Sequence, residues 1–260
     1  MKNISKTVLI TGGLGGIGLE LVSFFFEKNF NVIILDNKKI DYFKNLKINK
    51  IKKNNFIVYK KINLINSHLV KKLFINLIQK HNKIDVLINC AGIQYVSKIE
   101  HFPDHKWNEI ININLSSVFY TIKNILPLMK SNKWGRIINI SSVHGLVASI
   151  DKSAYVASKH GIIGLTKTIA LETATLPITV NAICPGWVNT PLVSKQIQDK
   201  VKINKSNKEI ETKKLLITKH PNLKFIPGKA IASLAFYLCS EEASEITGAS
   251  INIDGGWISQ

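Results

Sequence analysis

An α/β fold, a parallel sheet wound on both faces by helices, is the class that this 260-residue sequence predicts. Three observations predict it. Apolar runs of strand length alternate with longer stretches of helical period, the pattern of βαβ units. A glycine cluster, Gly12-Gly13-Leu14-Gly15-Gly16-Ile17-Gly18, follows the first apolar run directly, and a helical pattern starts at once. No repeat, linker or shift in composition divides the chain, so a single domain is expected over residues 1–260.

Taken in order, Val8-Leu9-Ile10 makes the first strand, 8–11, and the stretch 17–28 the first helix. The run Val32-Ile33-Ile34-Leu35 is the second strand and 56–59 the third, followed by a helix at 67–81. The fourth strand, 86–89, leads to a long helical stretch at 107–130. The fifth strand, 136–140, is followed by a helix at 154–173, and the sixth, 179–183, precedes a helix at 228–240. A last strand at 250–253 closes the set. Right-handed crossovers between parallel strands make a Rossmann-type three-layer sandwich the economical topology. The polar, lysine-rich segment 191–227 is too long for a plain loop. One or two helices are expected there, forming a mobile flap at the carboxyl edge of the sheet, where ligands of open α/β folds bind.

Composition narrows the function classes. The net charge is +18, which on its own suggests nucleic acid or anionic membranes. Yet Arg136 is the only arginine, and arginine is the residue that phosphate and base recognition favours. Scattered lysines without interleaved aromatics read as a solvated surface, and no nucleic-acid or membrane partner is expected. No apolar run approaches the length of a membrane span, and 7–11 is too short for a signal-peptide core, so a cytoplasmic protein is expected. Three separated cysteines, Cys90, Cys184 and Cys239, indicate neither a disulfide framework nor a metal site.

The glycine turn is placed for a dinucleotide. Glycines let the backbone approach a pyrophosphate, and the amides and positive end of the following helix face the anion. Asp36, at the end of the second strand, can accept from both ribose hydroxyls and repel a 2′-phosphate, which favours NAD; Lys38 and Lys39 follow closely and temper that preference. Tyr155 and Lys159 stand at i and i+4 on one helical face, where the ammonium can lower the phenol pKa. Ser142 ends the fifth strand, thirteen residues before Tyr155, and can hydrogen-bond a substrate oxygen. Gln94, His144, Lys152 and Gln196 are candidate pocket residues whose donors suit a small carboxylate.

The spacing Gly12, Gly16, Gly18 resembles the TGxxxGxG element of the short-chain dehydrogenase/reductase family. Asn89-Cys90-Ala91-Gly92, Asn114, Ser142 with Tyr155-x-x-x-Lys159, and Pro185-Gly186 with Thr190 resemble its other elements, and together they span most of the chain. The resemblance implies a catalytic set of Asn114, Ser142, Tyr155 and Lys159, with Asn114 holding a water that links Lys159 to solvent. It also implies a dinucleotide held by Gly12, Leu14, Gly15, Gly16, Ile17, Gly18, Asp36, Asn63, Leu64, Asn89, Ala91, Gly92, Tyr155, Lys159, Pro185, Gly186, Val188 and Thr190. Asn63 stands where the family commonly has an aspartate, and an amide can still meet the adenine. Longer strings around Gln94, His144, Lys152 and Gln196 are similar to the branch of the family that interconverts (R)-3-hydroxybutyrate and acetoacetate with NAD. That likeness implies substrate contacts from Gln94, Ser142, His144, Lys152, Tyr155, Trp187, Gln196 and Trp257, no metal, and a homotetramer. A 3-oxoacyl thioester reductase, or another short-chain dehydrogenase of small hydroxy acids, is the alternative within the family.

Overall fold

The computed structural model describes residues 5–39 and 55–259. Seven strands, β1 (Thr7–Thr11), β2 (Asn31–Asp36), β3 (Ile57–Lys61), β4 (Val86–Asn89), β5 (Gly135–Ile140), β6 (Ile178–Pro185) and β7 (Ser250–Ile253), form one parallel sheet. Their order is β3-β2-β1-β4-β5-β6-β7, so the chain leaves the centre in one direction, returns, and winds out in the other. All seven expected strands are present. Residues 40–54 lie outside the described residues.

Side chains alternate across the sheet with period two. Val8 and Ile10 face α1 (Gly16–Glu27) and α8 (Gly228–Tyr237), which pack against each other. Leu9, Ile33 and Leu35 face the opposite layer, where α2 (Ser67–His81) packs on α4 (Ser117–Ser131). Because both faces are covered, the central strands are apolar at nearly every position, and β1 and β5 are buried throughout. The helix α2 starts where Asn66 accepts from the Leu69 amide at 3.0 Å. It stops at Asn82, which takes the left-handed conformation with φ 52°.

One expected helix is broken. The stretch 107–130 is instead α3 (Asp104–Ile111), a π-helical turn over Asn112–Ser116, and α4. The first of these starts directly after Pro103, whose fixed φ suits the entry to a helix. The wide turn inserts residues without breaking the helical path and carries Asn114 fully into the interior. Between β5 and β6 lies α5 (Ser153–Glu172).

The expected flap contains two helices, α6 (Pro191–Asn204) and α7 (Lys208–Ile217). Thr190 caps α6 by accepting from Val193 N at 3.4 Å, with Pro191 in the first helical position. The lone arginine is an interior strut at the start of β5. Arg136 is 2% exposed, donates to the carbonyls of Gly135 and Pro177 at 3.1 and 3.2 Å, and lies 4.6 Å from the centre of the Trp134 ring.

Candidate active site

The carboxyl ends of β1, β2, β4, β5 and β6 converge on one edge of the sheet, and two adjoining hollows open there. The larger, an open cleft of about 1430 Å³ including the solvent at its mouth, runs from Asp36 and Asn63 past Gly12, Gly15, Gly16 and Gly18 to Tyr155, Lys159 and Thr190. The smaller, about 480 Å³, is walled by Gln94, Ser142, His144, Tyr155, Trp187, Gln196 and Trp257. The size difference suits a dinucleotide in the first and a molecule of a few heavy atoms in the second.

The glycine turn is required by contact. Gly12 has φ 66°, and a Cβ on it would lie 2.6 Å from Ala91 Cα. One on Gly18 would lie 2.1 Å from the Gly12 carbonyl. Thus β1, the turn and the β4 loop approach as only glycine permits, and Thr11 secures that loop by accepting from the amides of Cys90 and Ala91 at 3.1 and 3.3 Å. The Asp36 carboxylate is buried and accepts from Leu14 N at 2.9 Å and Lys38 N at 3.0 Å. Lys38 Nζ donates to the Leu14 carbonyl at 3.1 Å. A cradle of backbone bounded by a carboxylate therefore fits a dinucleotide, with its pyrophosphate at the start of α1.

Tyr155, on α5, meets Ser142 from the end of β5, with the Ser142 hydroxyl placed to hydrogen-bond the phenol. Lys159, one turn on, donates to the Ile140 carbonyl at 2.8 Å and lies 5.5 Å from the Tyr155 ring centre. Burial pushes the Tyr155 phenol up to about 12, against the opposing pull of the Ser142 hydrogen bond, and pushes Lys159 down to about 8. The expectation that the lysine lowers the phenol is thus not met in the protein alone: desolvation outweighs the Ser142 hydroxyl, the group that lowers it. Asn114 accepts from Ile93 N and donates to Ile93 O, both at 2.9 Å, and donates to Ser158 Oγ at 3.2 Å. Both amide protons are spent, so the side chain pins the β4 loop; only an Oδ1 lone pair is left for a water.

His144 is buried between Ser142 Oγ at 3.4 Å and Ser149 Oγ at 2.9 Å. Burial, with Lys152 nearby, pushes its imidazole down to about 3, so it is neutral. Its ring meets Trp257, Tyr155 and Trp187 edge to face, with centres 5.2, 5.9 and 6.4 Å away. Lys152 is 8% exposed, and its ammonium lies 4.5 Å over the Trp187 ring. Burial, then repulsion from Lys200 and Lys219, pushes it down to about 8. Among the described residues no carboxylate pairs with it. Gln94 Nε2 and Trp187 Nε1 are buried donors without a partner.

Most sequence-predicted residues are thus brought together, with three differences. Leu14 turns its side chain into the core, and only its backbone serves the turn. Asn89 is spent inside the sheet, donating to Asn139 at 2.9 Å and accepting from Thr121 at 2.7 Å, because a buried amide must be satisfied. Lys152 does not line the smaller hollow, since its four-carbon stem carries the ammonium onto Trp187. Pro185, Gly186 and Val188 line the smaller hollow, Thr190 and Ile17 line both, and Leu64, Ala91 and Gly92 line the larger. Sequence reading missed Leu192 and Lys195 in the larger hollow. Their three-residue spacing on α6, with Gln196 beside them, is the signal that places one helical face over both hollows.

A family model described as short chain dehydrogenase matches residues 6–201. The chain is 41% identical over 258 residues to the D-beta-hydroxybutyrate dehydrogenase of Rhizobium meliloti (strain 1021), a match that covers 99% of this chain and 100% of that one. It is 41% identical over 255 residues to the protein of the same name from Cupriavidus necator, covering 98% of each. Among solved structures, an actinorhodin polyketide ketoreductase with NADPH aligns with a TM-score of 0.90 at 27% identity, over 97% of both chains.

Proposed function

Because the chain belongs to the short-chain dehydrogenase family and is an oxidoreductase, we propose that it interconverts (R)-3-hydroxybutyrate and acetoacetate with NAD. The observation that carries this reading is a small hollow lined by both Ser142 and Tyr155 and, close by, buried donors that lack acceptors: Gln94 Nε2, Trp187 Nε1 and the Lys152 ammonium. Unpaired buried donors are costly until an anion arrives, and a carboxylate satisfies them. The two similar proteins that carry this activity in their names support the same substrate.

In the oxidation, Ser142 hydrogen-bonds the carbinol oxygen and Tyr155 takes its proton; in the reduction Tyr155 returns it. When bound, the nicotinamide would supply the hydride-accepting carbon and, in its oxidised form, a positive charge. The protein alone holds the phenol protonated, the form suited to donating to a ketone. Lys159 and the start of α1 line the hollow that would hold the cofactor, and Asn114 fixes the β4 loop that lines the same hollow. The Asp36 carboxylate, buried at the ribose end, repels a 2′-phosphate, which supports NAD over NADP. The carboxylate draws Lys152 off the Trp187 face, while α6 and α7 act as the flap that brings Gln196 to the site. The reading takes the enzyme as a cytoplasmic homotetramer, which its family resemblance supports; among the described residues no helix is long and apolar enough to cross a membrane.

The test is formation of reduced cofactor from the separate (R) and (S) acids, each with NAD and with NADP. Turnover of the (R) acid with NAD is expected. Silence on both acids, with NADPH-dependent reduction of acetoacetyl thioesters, would overturn the reading in favour of a thioester reductase.

A further inference from the structure

The wall of the smaller hollow hangs from the far end of the flap. Both polar groups of the Trp187 backbone are held by the chain that returns from α7: its N–H donates to His220 Nε2 at 2.8 Å, and its carbonyl accepts from Ile226 N at 2.8 Å. The other ring nitrogen of His220, Nδ1, faces the Lys224 carbonyl at 2.8 Å. A carbonyl only accepts and an amide N–H only donates, so the ring is the neutral Nδ1–H tautomer, and no other form makes both bonds. His220 is fully buried, and its ring stands edge-on to Trp257 with centres 5.8 Å apart. A Cβ on Gly186 would come within 2.4 Å of Nε2, so the ring lies directly against the carboxyl end of β6. It lines neither hollow.

We propose that His220 is a positioning residue for substrate: it ties the trailing end of the flap to the two indoles that wall the small hollow, and so sets the fit of the acid without touching it. The role rests on the proposed hydroxy-acid reading for its kinetic test. Neither His220 nor the two indoles it holds line the cofactor cleft; the indoles wall the smaller hollow alone. Substrate KM therefore depends on this residue, and the KM for NAD does not.

The test compares His220→Leu, which removes both bonds, with His220→Gln, whose carboxamide offers one acceptor and one donor. A stranded Trp187 amide in the Leu variant is expected to raise the KM for (R)-3-hydroxybutyrate about tenfold, with the KM for NAD unchanged, and the Gln variant is expected to restore most of the loss. If the Leu variant does not fold, His220→Asn is judged by the same criteria. A second readout needs no substrate. In a Trp107→Phe, Trp134→Phe background the emission reports Trp187 and Trp257 alone, and His220→Leu is expected to shift it to the red while His220→Gln does not. An unchanged substrate KM, equal rises for acid and NAD, or no rescue by Gln would overturn the assignment. Wild-type inactivity on the acid would refute the functional reading instead, and the emission arm would then decide the role of His220.

Discussion

Replacing Lys152 by Met separates binding from stability. The methionine keeps the length and apolar contact of the lysine stem but removes a charge that is 8% exposed and held over Trp187. Burial has brought the ammonium from 10.5 to about 8, so keeping it charged at neutral pH costs the fold about 3 kcal/mol at 1.36 kcal/mol per pKa unit. The lost cation–π contact offsets about 1 kcal/mol of that. The variant is therefore expected to be more stable by about 2 kcal/mol, roughly 4–8 °C in Tm for a domain of this size. Binding goes the other way. A charge-assisted hydrogen bond to the substrate carboxylate contributes about 2 kcal/mol, so KM for 3-hydroxybutyrate is expected to rise about thirtyfold. The assay pairs initial rates on 3-hydroxybutyrate and on uncharged 2-butanol with a thermal melt of the cofactor-free protein. A Tm that falls, or a KM that rises equally on both alcohols, would refute the reasoning: the first would mean the ammonium is stabilised in the free protein, the second that it does not read the carboxylate.

Two further outcomes are expected. As pH rises through about 8, Lys152 loses its charge, so kcat/KM for 3-hydroxybutyrate falls relative to that for 2-butanol. Lys159 titrates in the same range but serves both alcohols and cancels in the ratio; a flat ratio from pH 7 to pH 9, about one unit each side of that value, would count against the Lys152 anchor. Tyr155→Phe should lower kcat by about 10²–10⁴ while leaving NADH affinity, read by fluorescence titration, nearly unchanged; a mild loss would mean another group moves the proton.

The sheet was legible because β-branched apolar runs and short turns are local signals, and the glycine turn because steric permission is written in the residue itself. The broken helix was not. Helical periodicity continues through Asn112–Ser116, and the wide turn is selected by the fit of Asn114 against Ile93, a contact made across the fold. The same holds for Asn89, whose motif position suggests the cleft while its amide completes a buried chain through Asn139 to Thr166. The Tyr155 pKa depends on burial, which a pair at i and i+4 does not encode. His220 carries no motif at all; its meaning comes from a partner 33 residues away.

A chain with one arginine, and that one buried at the start of β5, offers no guanidinium to the phosphates of the proposed dinucleotide. Dicarbonyl reagents that inactivate many nucleotide-binding enzymes by capturing an arginine at the phosphate site have no target here while the fold is intact. Arg136 becomes a single-site reporter instead: its labelling rate is expected to measure how often the start of β5 opens to solvent.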